Sequence, residues 1–230
     1  MPQESVQPHG GWITIDVGNQ RANAKTASWV YCEGFIPEDE ILLRARDRAA
    51  TLGCPAIRPG AGAVLRLMAT ALHARSVVEI GTGAGVGSLW LLRGMPPDGV
   101  LTTIDAELEH QKAAIAAFTE AGIRKARTRT IPGQAVEVLP RLTDRAYDIV
   151  LIGADERSYP DYVEQAMRLL RPGGLLAVNG ALAEDRVADP ARRDEITTIV
   201  RQVGRQLRDD ERVVPALVPA GDGLLLAIRR

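Results

Sequence analysis

The chain has 230 residues, which is enough for one substantial α/β core and short for two. Its hydrophobic fraction of 46% and charged fraction of 25% exclude a disordered or fibrous protein, and its formal charge of -1 argues against a nucleic-acid partner. No apolar run approaches the roughly 20 residues that span a bilayer, and the two cysteines lack metal spacing. We therefore expect a cytoplasmic protein without membrane or nucleic-acid partners.

The first part of the chain is predicted to form a flexible arm (1–25), followed by a single domain (26–230). Pro37 and the acidic residues after it are typical of a helix start, and this helix is expected to reach about Leu52. A second helix is predicted after Gly60, because apolar side chains then recur on one helical face.

From residue 76 onward, short apolar runs alternate with helical stretches. This alternation is typical of a parallel sheet with helices on both faces. The segment Pro172-Gly173-Gly174 is expected to end the helix before the fifth strand. The last two runs flank Gly221-Asp222-Gly223, a turn sequence that predicts an antiparallel hairpin. The predicted strands are 76–80, 100–105, 127–131, 147–152, 175–178, 213–218 and 224–228.

A glycine-rich turn follows the first predicted strand and precedes a helix, where ligands bind in open α/β sheets. Glu79 stands two residues before Gly81, and Gly83 and Gly85 follow. A dinucleotide-binding turn requires glycine where Val86 stands, so a nicotinamide dehydrogenase is disfavoured. The pattern is similar to motif I of S-adenosylmethionine methyltransferases, and an acid suits a cofactor that carries an ammonium, a sulfonium and no phosphate. A glycine-rich turn without a ligand is the alternative.

Asp105 closes the second predicted strand, beside the glycine-rich turn in a parallel sheet. An acid there can accept both ribose hydroxyls of a nucleotide, although it could also be the N-cap of the next helix. His110, one turn into that helix, is expected to be a surface histidine on the ribose side. After the third strand, Gly133, Gln134 and Ala135 are expected to line an adenine pocket.

Together these residues resemble the catechol and caffeoyl-CoA class of O-methyltransferases, particularly actinobacterial members, from about Trp29 to Arg229. The resemblance implies an α/β, Rossmann-like, doubly wound and mostly parallel seven-stranded sheet that ends in an antiparallel hairpin, with helices on both faces. It implies a homodimer that uses S-adenosylmethionine to methylate a hydroxyl group of a small aromatic or related molecule. It also implies cofactor contacts by Ala61, Glu79, Gly81, Thr82, Asp105, Ala106 and Asp155, to which the glycine turn adds Gly83.

The helix start departs from the family at one position. Relatives commonly place a serine where Gly87 stands, and that serine bonds the carboxylate of the cofactor. Here the serine follows one residue later, as Ser88. Either the loop is shifted or a backbone N–H replaces the hydroxyl, so Gly87 and Ser88 are both candidate cofactor contacts.

The metal site of the family is also altered. Metal-dependent relatives have Asp-Ala-Asp-Lys after the fourth strand and Asp-Asn after the fifth, with the Lys as base. The corresponding positions here are Gly153, Asp155 and Glu156 after the fourth strand, and Asn179-Gly180 after the fifth. Magnesium requires oxygen ligands, usually including carboxylates, and glycine has no side chain to supply one. We therefore expect no bound metal.

The catalytic residue is not assigned. Asp155, Glu156, Asn179, Tyr159 and Glu184 are the polar groups expected near the acceptor, but a carboxylate is a weak base toward a phenol whose pKa is about 10. Glu156 and Tyr159 could equally be ordinary surface at a helix start. Two functions stay open: a metal-independent methyltransferase acting on a small hydroxylated compound, and a protein that binds S-adenosylmethionine or S-adenosylhomocysteine without turnover.

Overall fold

The computed structural model describes the backbone of residues 17–230 and the side chains of residues 24–230. The first sixteen positions of the predicted arm lie outside the described residues. Helix α1 (Val17–Glu33) crosses the arm boundary that the sequence predicts at residue 25. Its described side chains are exposed or half-buried, so no buried apolar stripe marks this helix in the sequence.

The sheet has seven strands in the order β3-β2-β1-β4-β5-β7-β6. Strands β1 to β5 pair in parallel, whereas β7 lies antiparallel between β5 and β6. The strands are β1 (Ser76–Ile80), β2 (Val100–Asp105), β3 (Thr128–Pro132), β4 (Tyr147–Ile152), β5 (Leu170–Asn179), β6 (Val213–Val218) and β7 (Leu224–Arg229). The predicted doubly wound sheet with a terminal hairpin is confirmed.

Helices cover both faces of the sheet, because alternate strand residues point to opposite sides. Val77 and Ile149 pack with α2 to α5 in one buried cluster, and Val78 and Val150 pack with α6 to α8 in the other. No helix within residues 17–230 is long and apolar enough to cross a membrane. The helices are α2 (Glu40–Thr51), α3 (Pro59–Ala71), α4 (Val86–Gly94), α5 (Leu108–Glu120), α6 (Ala135–Val138), α7 (Tyr159–Leu169) and α8 (Glu195–Asp209).

The start of α2 differs from the prediction. Pro37 lies before the helix, which begins at Glu40. Asp39 is the N-cap, and its carboxylate accepts a hydrogen bond from the backbone N–H of Leu42 at 3.0 Å. An acid that caps a helix satisfies a free first-turn N–H, and this contact fixes the N-cap two positions after the proline.

The end of α7 also differs. The helix stops at Leu169, and Pro172-Gly173-Gly174 lies within β5 instead of ending the helix. Leu170 is fully buried and already pairs with Tyr147 of β4, and the register between these strands shifts before Ile149. The strand therefore begins before the proline and contains an irregularity there, which the prolyl and glycyl residues accommodate.

Candidate active site

A cavity of about 590 Å³ lies at the carboxyl ends of β1, β2, β4 and β5. The strand order reverses between β1 and β4, and a crevice at such a reversal is where open α/β sheets bind ligands. The lining includes most of the cofactor residues that the sequence predicts, namely Glu79, Gly81, Thr82, Gly83, Gly87, Asp105, Ala106, Gly133, Gln134, Ala135 and Asp155.

Ala61 and Ser88 are the two predicted cofactor contacts that do not line the cavity. Ala61 is fully buried in α3, where its Cβ is 3.0 Å from the position a Cβ would take on Gly221. Ser88 is fully buried in α4, and its hydroxyl donates to the carboxylate of Glu79. Both side chains are occupied by packing inside the protein, and their assignment as cofactor contacts stays a prediction.

The glycine-rich turn has the backbone conformation that its sequence suggests. Gly81, Gly83 and Gly85 have φ angles of 92°, 49° and 86°, which favour glycine. A Cβ on Gly81 would also lie 2.7 Å from the carbonyl oxygen of Gly153, so glycine allows the ends of β1 and β4 to approach closely. The turn leads directly into α4, whose first-turn N–H groups have no partner within the helix and suit a carboxylate.

Glu79 is a buried acid, with 2% of its surface exposed, at the end of β1. Its carboxylate accepts hydrogen bonds from Ser88 and from Thr103 Oγ1, the latter at 2.7 Å. Burial raises the pKa of Glu79 to about 7, although both hydroxyl donors act in the opposite direction. A cationic group in the cavity would favour the ionised carboxylate.

The position of Glu79 explains why the serine stands at 88. A Cβ built on Gly87 would lie 2.5 Å from Glu79 Oε1. Glycine at 87 therefore leaves room for the carboxylate of Glu79, to which the Ser88 hydroxyl donates a hydrogen bond. Since Gly87 has no side chain, only its backbone groups face the cavity. This accords with the alternative in which a backbone N–H replaces the serine hydroxyl of the relatives.

Asp105 joins the glycine turn to the segment before α5. Its Oδ2 accepts the backbone N–H of Gly83 and its Oδ1 that of Glu107, both at 2.9 Å. Because α5 begins at Leu108 with Glu107 as N-cap, the N-cap role considered for Asp105 is wrong. His110 lines the cavity, with Nδ1 3.2 Å from Asp105 Oδ1, so it is a cavity residue and not simply a surface histidine.

The polar residues beyond β4 and β5 line the other end of the cavity. The Asp155 carboxylate accepts from the N–H of Arg157 at 3.4 Å and from Ser158 Oγ at 3.1 Å, at the start of a short 3-10 helix. Glu156 and Asn179 line the cavity, and their side chains make no hydrogen bond to another described residue. These two side chains are therefore available to an acceptor molecule.

Tyr159 is buried, so its interpretation as helix-start surface is wrong. Its hydroxyl donates to the backbone carbonyl of Asn179 at 2.7 Å and thereby joins α7 to the end of β5. Burial raises the pKa of this phenol further above its ordinary value. Tyr159 is therefore a neutral hydrogen-bond donor at any physiological pH and not a base.

The residues present do not fit a divalent metal. At the positions that hold the metal in metal-dependent relatives, Gly153 and Gly180 offer no side-chain ligand and Asn179 offers one neutral oxygen. Asp222 also lines the cavity, but both of its carboxylate oxygens accept the N–H of Glu184 at 2.9 Å. Among the described side chains, no group of three or more His, Cys, Asp or Glu residues could hold a metal ion.

The loop of residues 54–58 lines the cavity, although no motif in the sequence marks it as part of a site. It joins α2 to α3 and brings Cys54 and Arg58 to the cavity. Burial raises the pKa of the Cys54 thiol, which makes it a poor nucleophile. Pro55 and Pro59 indicate a break between two helices, but they do not indicate which way the loop faces.

A family model described as O-methyltransferase matches residues 38–230. A protein of Mycobacterium ulcerans (strain Agy99) is 53% identical over 222 residues, which are 96% of this chain and 99% of that protein. A protein of Mycobacterium tuberculosis (strain ATCC 25618 / H37Rv) is 50% identical over 215 residues, which are 93% of this chain and 96% of that protein. The names of both proteins include O-methyltransferase.

Solved structures show the same architecture. A Corynebacterium glutamicum protein has a TM-score of 0.83 and 31% identity, covering 90% of this chain and 97% of its own. TomG is an O-methyltransferase from Streptomyces achromogenes that was solved in complex with S-adenosylmethionine. It has a TM-score of 0.78 and 30% identity, and the match covers 88% of this chain and 96% of TomG. These likenesses confirm the resemblance inferred from the sequence. The chain therefore belongs to the O-methyltransferase family.

Proposed function

We propose that the protein transfers the methyl group of S-adenosylmethionine to a hydroxyl group of a small aromatic or related acceptor, without a divalent metal. One observation carries this proposal: a single cavity keeps the acids and the glycine turn of the cofactor end, while Gly153 and Gly180 remove the metal ligands of the acceptor end. When bound, S-adenosylmethionine supplies an electrophilic methyl group on its sulfonium. The complex of the related TomG with this cofactor supports the cofactor assignment.

The cofactor end of the cavity matches the polar groups of S-adenosylmethionine. Asp105 Oδ2 has a lone pair left for a ribose hydroxyl after accepting the N–H of Gly83. Oδ1 accepts the N–H of Glu107 and lies 3.2 Å from His110 Nδ1, so a second ribose hydroxyl would share this oxygen with His110. The first-turn N–H groups of α4 suit the carboxylate, and the acid Glu79 suits the ammonium. Gly133 and Gln134 extend the lining beyond β3, where the adenine is placed in this proposal.

The acceptor end holds the acceptor in line with the methyl group and contributes no strong base. Glu156 and Asn179 can hydrogen-bond a hydroxyl group, and orientation of this kind is a large part of the rate enhancement of a displacement reaction. No lysine lines the cavity, and Tyr159 is fixed as a neutral donor. The preferred acceptors are therefore compounds whose hydroxyl is already acidic, or carboxylates, since these ionise without assistance.

The test is calorimetric titration of S-adenosylmethionine and S-adenosylhomocysteine with and without Mg²⁺, followed by a methyl-transfer assay in EDTA. We expect micromolar binding that is indifferent to Mg²⁺, and methyl transfer that persists in EDTA. Activity that EDTA abolishes and Mg²⁺ restores would contradict the metal-independent mechanism. Binding without methylated product from any acidic phenol would favour the second function, a cofactor-binding protein without turnover.

The homodimer and the cytoplasmic location expected from the sequence stay predictions. Light scattering of the purified protein measures the first, and fractionation of cells that produce it measures the second.

A further inference from the structure

Arg58 is a cation at the cavity that no acid among residues 24–230 neutralises. It is exposed, it lines the cavity, and its guanidinium carbon lies 5.5 Å from the centre of the Trp29 ring of α1. Among residues 24–230, its guanidinium makes no ion pair and no hydrogen bond. Stacking on an aromatic face orients a guanidinium and leaves its donors and its charge available to a ligand.

Trp29 is held in this position by Glu33, one turn later on α1. Glu33 Oε2 accepts the backbone N–H of Gly60 at 3.1 Å, and Oε1 accepts that of Gly221 at 2.6 Å. The nearby carboxylate is therefore committed to fastening α1 to the start of α3 and to the β6–β7 turn. It does not pair with Arg58, although the two side chains belong to adjoining segments.

The other basic side chains of the described lining, Arg186 and His110, already contact acids. Arg186 contacts Asp194 at 3.4 Å and donates to the carbonyl of Ala183 at 2.7 Å, and His110 contacts Asp105. An anionic group in the cavity would meet carboxylates on most sides. The acids that line the cavity are Glu79, Asp105, Asp155, Glu156, Glu184 and Asp222.

We propose that Arg58, presented by Trp29, binds a carboxylate in this cavity. The carboxylate belongs either to the methionine part of the cofactor or to the acceptor molecule. A planar guanidinium matches a carboxylate with two parallel hydrogen bonds, and here it is the described lining cation without an acidic partner. The inference rests on the proposed function, because it takes the cavity to be the site of methyl transfer.

The first arm of the test compares two ligands that differ in the amino-acid part. S-Adenosylhomocysteine carries the carboxylate, and 5′-methylthioadenosine keeps the adenosine and the sulfur without it. If the carboxylate is that of the cofactor, Arg58→Ala weakens binding of S-adenosylhomocysteine about tenfold and changes that of 5′-methylthioadenosine less than about twofold, in calorimetric titration. Arg66→Ala is the matched control, since Arg66 is an exposed arginine of α3, the helix that follows Arg58, and does not line the cavity.

The second arm compares two acceptor probes with protein saturated by S-adenosylhomocysteine. If the carboxylate is that of the acceptor, Arg58→Ala weakens binding of 3,4-dihydroxybenzoate about tenfold and leaves catechol unchanged. Trp29→Leu is expected to weaken binding of the same carboxylate ligand that Arg58→Ala affects, by about threefold, because the guanidinium loses its stacking surface. Melting temperatures of Arg58→Ala are expected to match those of the wild type, since the side chain is exposed.

The outcomes separate the two proposals. If the wild type binds S-adenosylhomocysteine and Arg58→Ala alters neither carboxylate ligand by more than about twofold, the role of Arg58 is overturned and the proposed function stands. If the wild type fails to bind S-adenosylhomocysteine, the proposed function is overturned and this inference with it.

Discussion

At the scale of single residues, the buried acid of Glu79 makes the stability of the protein depend on pH. Its pKa is about 7 in the fold against 4.5 in the unfolded chain, so the folded protein holds the proton more tightly. The contribution of the protonated Glu79 to the free energy of unfolding is fully present below pH 4.5 and is lost as the pH rises through 7. We expect a loss of about 3 kcal/mol in the free energy of unfolding across this range.

Urea unfolding of the wild type and of Glu79→Gln between pH 4.5 and 8 measures this effect. The amide variant cannot ionise, so its stability should fall less over the same range. If the free energy of unfolding falls equally with pH in both proteins, Glu79 does not titrate in this way.

Asp105 is the residue on which the placement of the ribose depends. Asp105→Ala is expected to weaken binding of S-adenosylhomocysteine by about 1–3 kcal/mol, because two ribose hydroxyls lose their acceptor. Asp105→Asn is the intermediate variant, since its single amide oxygen can accept the N–H of Gly83 or of Glu107 but not both, and we expect it to weaken binding less than Asp105→Ala does. Calorimetric affinities equal to that of the wild type would remove the ribose assignment.

Site residues were predictable from the sequence where a residue of suitable chemistry stands at the end of a predicted strand. Gly81 follows β1 and Asp105 ends β2, and the ends of these paired parallel strands must meet at one edge of the sheet. Arg58 was not predicted to line the cavity, and His110 was predicted to be a surface residue, because the direction of a loop or helix side chain depends on tertiary packing. The inward direction of the Ser88 hydroxyl, toward Glu79, could not be predicted for the same reason.

At the scale of elements, the hydrogen bond from Tyr159 fastens α7 to the end of β5. Tyr159→Phe is expected to lower the free energy of unfolding by about 1–2 kcal/mol, because the buried carbonyl of Asn179 loses its donor. Tyr162→Phe is the matched control, since Tyr162 is a buried tyrosine of the same helix whose hydroxyl does not bond to Asn179. Thermal unfolding measures stability, and the methyl-transfer assay should show an unchanged kcat for Tyr159→Phe. A large loss of kcat at unchanged stability would instead assign Tyr159 to catalysis.

Strand boundaries were predictable for the largely buried strands: the runs 76–80, 100–105 and 147–152 match β1, β2 and β4. The run 213–218 also matches β6, an edge strand with one buried residue, because the Gly221-Asp222-Gly223 turn marks the hairpin. The start of β5 was not predictable, because Leu170 looks like the last apolar residue of a helix and is in fact the first of a strand. Helix α1 was not predicted because its described side chains bury little apolar surface, and the 3.6-residue periodicity arises from burial.

At the scale of the whole molecule, the neighbouring ends of β4 and β5 allow a test of the proposed metal independence. The variant Gly153→Asp, Asn179→Asp, Gly180→Asn restores the carboxylate and amide pattern of metal-dependent relatives. Asparagine tolerates the φ of 73° at Gly180 better than most residues, and a Cβ at Gly153 meets nothing closer than 3.9 Å. We expect Mg²⁺ binding to appear in calorimetric titration of the variant at millimolar affinity or better.

The matched control is Gly153→Asp alone, which supplies one carboxylate and should bind Mg²⁺ more weakly than the triple variant. Equal heats of Mg²⁺ titration for the triple variant and the wild type would show that side chains at the ends of β4 and β5 cannot bind one cation together.

The terminal hairpin has a consequence for how the chain is made. β6 precedes β7 in sequence, yet in the described sheet its neighbour is β7, which inserts between it and β5. On the ribosome, β6 therefore emerges before the strand that attaches it to the sheet, and β5 is left as an open apolar edge in the nascent chain. Open edges accept strands from other molecules. The step most prone to aggregation or strand exchange during synthesis is thus the interval before β7 enters the gap.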